Sequence, residues 1–262
     1  GCALFMNIEI DSPEEKELIE QLKKRDEPEA KRLLRFLNMP DLSRQADSPI
    51  AEIVKRILQI NRFADFDDIK VPEIVPYGMS FDLFNFPADH PARSHSDTYF
   101  ADDNDVLRIH TSVMWYYWLN QSQVRKKIEK GESIGALSYG KVYRRDEIDR
   151  NHMPVFHQID GWWLTPKSEK VVGIEDLKSV LTEIVRAIYG EDIGFRFNSS
   201  EFPFTDPSIE IEVNIGERWL EVVGAGIVRP IVLKNLGVDV EKYNGWAFGF
   251  GMERLAMASM DL

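Results

Sequence analysis

The chain has a single cysteine, Cys2, so no disulfide can close within it and no cysteine-rich metal site can form. Such cysteine usage suits a reducing compartment, and a cytoplasmic location is expected. Histidine is also sparse, and none of the five residues has the spacing of a zinc ligand pair such as H-E-x-x-H. The sequence therefore gives no support to a transition-metal enzyme. Long apolar runs are missing too. The longest aromatic-apolar stretch, Val113 to Leu119, falls far short of the ~20 residues that cross a bilayer. The opening Gly1-Cys2-Ala3-Leu4-Phe5 lacks the basic start and apolar run of a signal peptide, so neither anchor nor leader is expected. Positive charge is in deficit: 32 basic against 44 acidic residues leave a net charge of -12. That balance repels a polyanion except where basic groups concentrate locally. Internal repeats, low-complexity tracts and the G-x-x-x-x-G-K-[ST] P-loop are all absent.

What is present is a chain able to bury a sizeable core, with 44% hydrophobic residues over 262 positions. Ser12-Pro13-Glu14-Glu15 reads as an N-cap, a proline at the first helical position and a capping-box glutamate. The helix it opens is ended or broken by Pro28. A second short helix spans Ala30 to Leu37 and runs into a turn at Pro40. Residues 1–46 thus read as a short helical appendage, and 47–262 as the main domain. Ser48-Pro49 opens another helix, in which Ile50, Ile53, Val54, Ile57 and Leu58 make one continuous apolar face, either core or subunit interface. Beyond Asp67 short strands dominate: Ile69 to Val75, Lys141 to Asp146, Val155 to Leu164 and Ile209 to Ile215. Between them lie a helix carrying Leu177, Val180, Leu181, Ile184 and Val185 on one side, and a shorter one opened by Pro230 and closed by Gly237. The expected class is α+β, with a mainly antiparallel sheet flanked by helices.

Two segments carry candidate chemistry. Tyr143-Arg144-Arg145-Asp146, a loop, then His152-Met153-Pro154-Val155-Phe156 has the form of two strands joined by a charged hairpin. It offers a guanidinium for bidentate phosphate contact, a second cation and an aromatic face for a base. Alone, such an arginine pair among acidic residues also fits a solvated turn. The second segment, Gly245 to Arg254, alternates glycines that let a strand approach a ligand closely. Arg254 then falls in the first turn of a helix, where the dipole prefers anions, so a bound phosphate would account for it.

These segments resemble motifs 2 and 3 of class II aminoacyl-tRNA synthetases, and the apolar helix from Pro49 leading to Val71-Pro72-Glu73 resembles motif 1. Asp89-His90-Pro91-Ala92-Arg93, Arg108-Ile109-His110-Thr111-Ser112, Phe156-His157-Gln158, Glu201 to Ser208 and Trp219-Leu220-Glu221 resemble the phenylalanine-specific subfamily, the catalytic (alpha) subunits of phenylalanyl-tRNA synthetases. The resemblance covers about residues 48 to 262. It implies the class II catalytic fold and activation of L-phenylalanine by ATP, followed by transfer to tRNA(Phe).

Position by position, the resemblance implies that Arg144 holds the α-phosphate, Phe156 and Arg254 sandwich the adenine, and His152 approaches the outer phosphates. Magnesium is implied, with Glu221 as candidate ligand and Glu210 as a second, although Glu210 also fits a solvated carboxylate on the outer face of its strand. Phe202 and Phe204, flanking Pro203, would point the same way from an extended strand to meet the phenyl ring, over a floor at Ala247. His110, Ser112, Gln158 and Asp160 would surround the substrate's ammonium and carboxylate. Asp160 stands where the family has glutamate, Ser96 where glutamine or tryptophan is frequent, and Arg229 where histidine is common. The resemblance further implies more chain beyond Leu262, and a beta-subunit partner in a heterotetramer of two alpha and two beta chains that supplies much of the tRNA grip. A non-catalytic paralogue and an amide-forming ligase on the same fold are the alternatives.

Overall fold

The computed structural model describes residues 6–145 and 153–259. Its strands are β1 (Asn7–Glu9), β2 (Asp67–Lys70), β3 (Ile74–Pro76), β4 (Asp105–Leu107), β5 (Ile134–Tyr143), β6 (Val155–Pro166), β7 (Phe195–Phe202), β8 (Thr205–Ile215), β9 (Arg218–Val228) and β10 (Tyr243–Gly251). Its α-helices are α1 (Pro13–Lys23), α2 (Pro28–Asn38), α3 (Pro49–Leu58), α4 (Tyr77–Ser80), α5 (Met114–Leu119), α6 (Ser122–Glu129), α7 (Ile174–Tyr189), α8 (Pro230–Asn235) and α9 (Met252–Ser259).

Helix starts follow their capping chemistry. The Ser12 hydroxyl accepts from the Glu15 amide at 3.1 Å, and the Ser48 hydroxyl accepts from the Ile50 amide at 3.1 Å. Pro28 does not break α1, which has already ended; it opens α2, where a missing N–H costs nothing. The strand expected over Ile69 to Val75 is two strands. Pro72 has no amide to donate, and on either side of it β2 joins the large sheet while β3 pairs with β4 in a separate ribbon. The strand expected over Lys141 to Asp146 starts earlier and stops sooner, at Ile134 and Tyr143.

The main sheet has eight strands in the order β1-β2-β5-β6-β10-β9-β8-β7. The β1–β2 and β2–β5 pairs are parallel, and every pair from β5 onward is antiparallel. Helices α3, α7 and α9 cover one face, burying Ile53, Ile57, Leu181, Ile184 and Leu255 against Ile159, Trp246 and Phe248. Helices α5, α6 and α8 cover part of the other, where Trp115, Trp118 and Leu233 meet Trp162, Leu164 and Ala247. The helix face predicted from Ile50 to Ile57 is thus core.

Strand alternation decides what each face offers. In β10 the large residues Trp246, Phe248 and Phe250 point into the first core, which leaves Ala247 and the glycines of the strand on the opposite face. In β6, Ile159 joins the first core while Gln158 and Asp160 look out beside them. The second helical layer stops short of this area. The open floor that results is the site.

Candidate functional site

The floor underlies a cavity of about 450 Å³. Phe202, Phe204 and Ala247 line its apolar end together with Phe86, while His110, Ser112, Gln158, Asp160 and Arg144 line the polar part. Eight of the residues expected from the sequence are therefore brought into one cavity.

At the polar end, Asp160 is 5% exposed and accepts a hydrogen bond from the Ser112 hydroxyl. Burial raises its carboxyl to about 6, against the opposing pull of the Ser112 bond and the Arg144 charge. Gly249 makes room for it, since a Cβ there would lie 2.6 Å from Asp160 Oδ1. His110 is 8% exposed, and burial lowers it to about 4, so its imidazole is neutral near pH 7. Its Nε2 lies 3.1 Å from the Ser80 carbonyl, a contact in which only the ring can donate. The proton therefore sits on Nε2, and Nδ1 is a buried lone pair with no hydrogen-bond partner. A neutral imidazole with a lone pair on Nδ1 can accept from a cationic donor.

The aromatic end sits at a hairpin. Phe202 ends β7 and Phe204 lies in the turn before β8, so they do not share one extended strand as predicted. Their rings nevertheless stack, with centroids 6.2 Å apart and an interplanar angle of 26°. Gly224 of β9 fits beneath, because a Cβ there would come within 2.7 Å of the Phe202 ring. Ala247 is buried between Gly226 of β9 and Trp162 of β6.

At the mouth, the Arg144 guanidinium donates from Nε and Nη2 to the Ile109 carbonyl, both at 3.3 Å, and lies over the Phe156 ring at 5.3 Å. Phe156 and Arg254 are outside the cavity lining. Arg254 is exposed in the first turn of α9, near enough to Glu221 for its charge to act on that carboxyl. The structure thus presents the Phe156 ring beneath Arg144. His152, predicted for the outer phosphates, lies outside the described residues.

Glu210 and Glu221 sit on neighbouring strands β8 and β9. Burial raises Glu221 to about 7, reinforced by a hydrogen bond and charge repulsion from Glu210 and by the Glu212 charge. Two carboxylates that cannot both ionise cheaply are a donor set a divalent cation would suit. Among the described residues no cluster of three or more histidine, cysteine or acidic side chains forms a metal cage. The pair alone would supply only part of a divalent cation's coordination shell.

Sequence reasoning missed His157 and Glu253 as a unit. The Leu42 amide donates to His157 Nε2 at 3.0 Å, which leaves the proton on Nδ1 to donate to Glu253 at 2.6 Å. The His157 amide donates to the same carboxylate at 3.1 Å. This fixes the residue before Arg254 against β6. Phe86, Gly224 and Gly226 were also missed, though the alternating Gly224-Ala225-Gly226 carries the same small-residue signal as β10. Ser96 is exposed, and its hydroxyl meets that of Ser94 at 2.6 Å outside the lining. Arg229, 3.8 Å from Asp206, is outside it as well.

Comparison with known proteins supplies context for this geometry. The family model described as tRNA synthetases class II core domain (F) matches residues 36–262. The phenylalanine–tRNA ligase alpha subunit of Coxiella burnetii is 37% identical over 211 residues, 80% of this chain and 60% of that protein. The one from Neisseria meningitidis serogroup B is 39% identical over 227 residues, covering 84% of this chain and 64% of that protein. The Thermotoga neapolitana alpha subunit is 36% identical over 247 residues, covering 93% and 71%. The chain thus spans about three fifths of the length of the first two relatives. Among solved structures, the pyrrolysyl tRNA synthetase PylSc of Desulfitobacterium hafniense aligns over 92% of this chain and 76% of that one, with a TM-score of 0.57 and 17% identity, a likeness of fold. No helix among the described residues is long and apolar enough to cross a membrane.

Proposed function

Since this chain belongs to the tRNA synthetases class II core domain (F) family, we propose that it is the catalytic part of a phenylalanine–tRNA ligase. It activates L-phenylalanine with ATP and transfers the aminoacyl group to tRNA(Phe). The observation that carries the reading is one cavity lined by stacked aromatics, a buried carboxylate and a buried neutral imidazole. An aromatic amino acid carries the matching groups, an apolar ring and a cationic amine.

In the first step the substrate carboxylate bonds to the α-phosphorus of ATP as the α–β anhydride bond breaks and pyrophosphate leaves. In the second, a ribose hydroxyl of the terminal tRNA adenosine attacks the carbonyl carbon, gives up its proton and displaces AMP. Neither step needs a nucleophile from the protein, so the residues act by positioning and by charge. Asp160 and His110 Nδ1 hold the ammonium, and Ser112 keeps Asp160 in place. Gln158 turns the carboxylate toward the mouth. Arg144 moves off Phe156 to take the α-phosphate, which frees the ring to stack on adenine, with Arg254 on its other face. Phe202, Phe204 and Ala247 take the phenyl group. If no lining group hydrogen-bonds it, a para-hydroxyl loses its water there, which disfavours tyrosine.

Glu221 and Glu210 would hold Mg2+, completed by phosphate oxygens and water. When bound, such an ion offsets the charge of the outer phosphates. A beta subunit, in an assembly of two alpha and two beta chains, completes the enzyme and supplies basic surface for tRNA, since this chain carries a net charge of -12. Exchange of labelled pyrophosphate into ATP tests the reading. Phenylalanine should drive exchange above every other amino acid. Exchange driven by a different amino acid, or none with a copurifying partner present, would overturn it.

A further inference from the structure

Strand alternation gives β5 two duties. Lys141 and Tyr143 point away from the cavity, toward the helical hairpin of α1 and α2, whereas Arg144, just past the strand end, turns into it. The hairpin holds that outer face at several points. Tyr143 is buried in one apolar cluster with Leu22, Ala30 and Leu33 of the hairpin. The Lys141 ammonium, on a residue 1% exposed, donates to the carbonyls of Phe36, Leu37 and Met39 at 3.1, 2.9 and 2.7 Å, closing the C-terminal end of α2 with a positive charge. The Glu15 carboxylate accepts from the Glu73 and Ile74 amides at 2.6 and 2.9 Å. Glu29, in the first turn of α2, pairs with Arg145, whose guanidinium also lies over the Tyr99 ring at 5.4 Å. Arg145 is the next residue after Arg144, and its amide donates to the carbonyl of Asp97, a cavity-lining residue, at 2.9 Å. The matched family model begins at residue 36, so α1 and most of α2 lie outside it.

We infer that the α1–α2 hairpin is a buttress for the phosphate-binding arm, and that Glu29, by fixing Arg145, is a positioning residue for Arg144. The inference rests on the proposed adenylation reaction. It separates the two substrates, because Glu29 braces the mouth where ATP enters and touches nothing at the phenylalanine end. Freed from Glu29, Arg145 still has Tyr99, but the backbone that aims Arg144 loses its outer anchor, and small misplacements of such a group are costly in rate.

The test is pyrophosphate exchange and ATP binding in the full-length protein with any copurifying chain, for Glu29→Ala, Glu29→Gln, Arg145→Ala and the Glu29→Ala/Arg145→Ala double variant. Glu29→Ala should raise the KM for ATP about tenfold, leave the KM for phenylalanine within about twofold and leave the thermal midpoint of the half-exposed site nearly unmoved. Glu29→Gln, which keeps the accepting oxygen, should fall between it and wild type. The double variant should be no worse than the poorer single, as expected for two residues acting through one contact. An unchanged KM for ATP, equal losses for both substrates, or additive losses in the double variant would overturn the buttress. Wild-type protein without phenylalanine-driven exchange would overturn the parent reading and the buttress together, and that failure is visible before any variant is made.

Discussion

At Asp160 a carboxylate is held in a buried pocket whose ionised form the fold disfavours until a cation arrives. Its folded value, raised to about 6, means that the fold is penalised as pH rises from the ordinary aspartate range through 6, and bears the full penalty above. Asp160→Asn should therefore raise the unfolding free energy at pH 7.5 by ~1–3 kcal/mol, with the gain vanishing near pH 4. The same variant should weaken phenylalanine binding at least about tenfold, because the ammonium loses its counter-charge. Urea titrations at the two pH values and calorimetry with phenylalanine check both halves, and a variant that is neither more stable nor weaker in binding would remove Asp160 from this role. At the other end, Ala247→Gly deletes a methyl from the cavity floor and should admit para-substituted phenylalanines in the exchange assay. Unchanged selectivity would mean that another residue sets the floor. The sequence made these residues findable because each sits in a short motif. The tautomer of His110 was not findable, since it depends on the Ser80 carbonyl, 30 positions away.

Elements that the sequence displayed well are those whose periodicity is clean. Helices α3 and α7 have regular apolar faces, and β6 and β8 appear as predicted to within a few residues. Helices α5 and α6 were not predicted: Val113 to Leu119 is aromatic on every side because Trp115 and Trp118 are buried while Tyr116 is exposed, and no period distinguishes these cases. Proline at 72 was read as part of a strand when it divides two. Arrangements between elements were out of reach. Lys141 was read only as the start of a strand, yet it is buried beneath α2. Lys141→Met, similar in length, should leave three carbonyls short of a donor and destabilise the protein by ~2–4 kcal/mol in denaturant titrations; a neutral result would show that water replaces it. Across β8 and β9, the Glu221 carboxyl near 7 predicts that Mg2+ or Mn2+ affinity climbs as pH rises through 7, and that Glu221→Gln flattens this dependence. Equal affinity at pH 6 and pH 8 would place the ion elsewhere.

For the molecule as a whole, one sheet is sealed by helices on its first face and left partly open on its second, and the opening collects residues from β6, β9, β10, the β7–β8 hairpin and Arg144 just past β5 around one cavity. The residues that prepare this opening are small: glycines and one alanine, placed by alternation opposite tryptophan and phenylalanine. Their spacing was visible in the sequence, but which side chains would fill the space they leave was not, because the partners come from other strands. Charge points the same way as before. With a net charge of -12, the chain as a whole repels a long polyanion. The most direct measurement is therefore the chemistry of the cavity itself: incubate the full-length protein, with any copurifying chain, with ATP, Mg2+ and a mixture of amino acids, then identify the retained acyl-adenylate by mass spectrometry. Phenylalanyl-adenylate is the product expected; no adenylate, or an adenylate of an amino acid without an aromatic ring, would contradict the account.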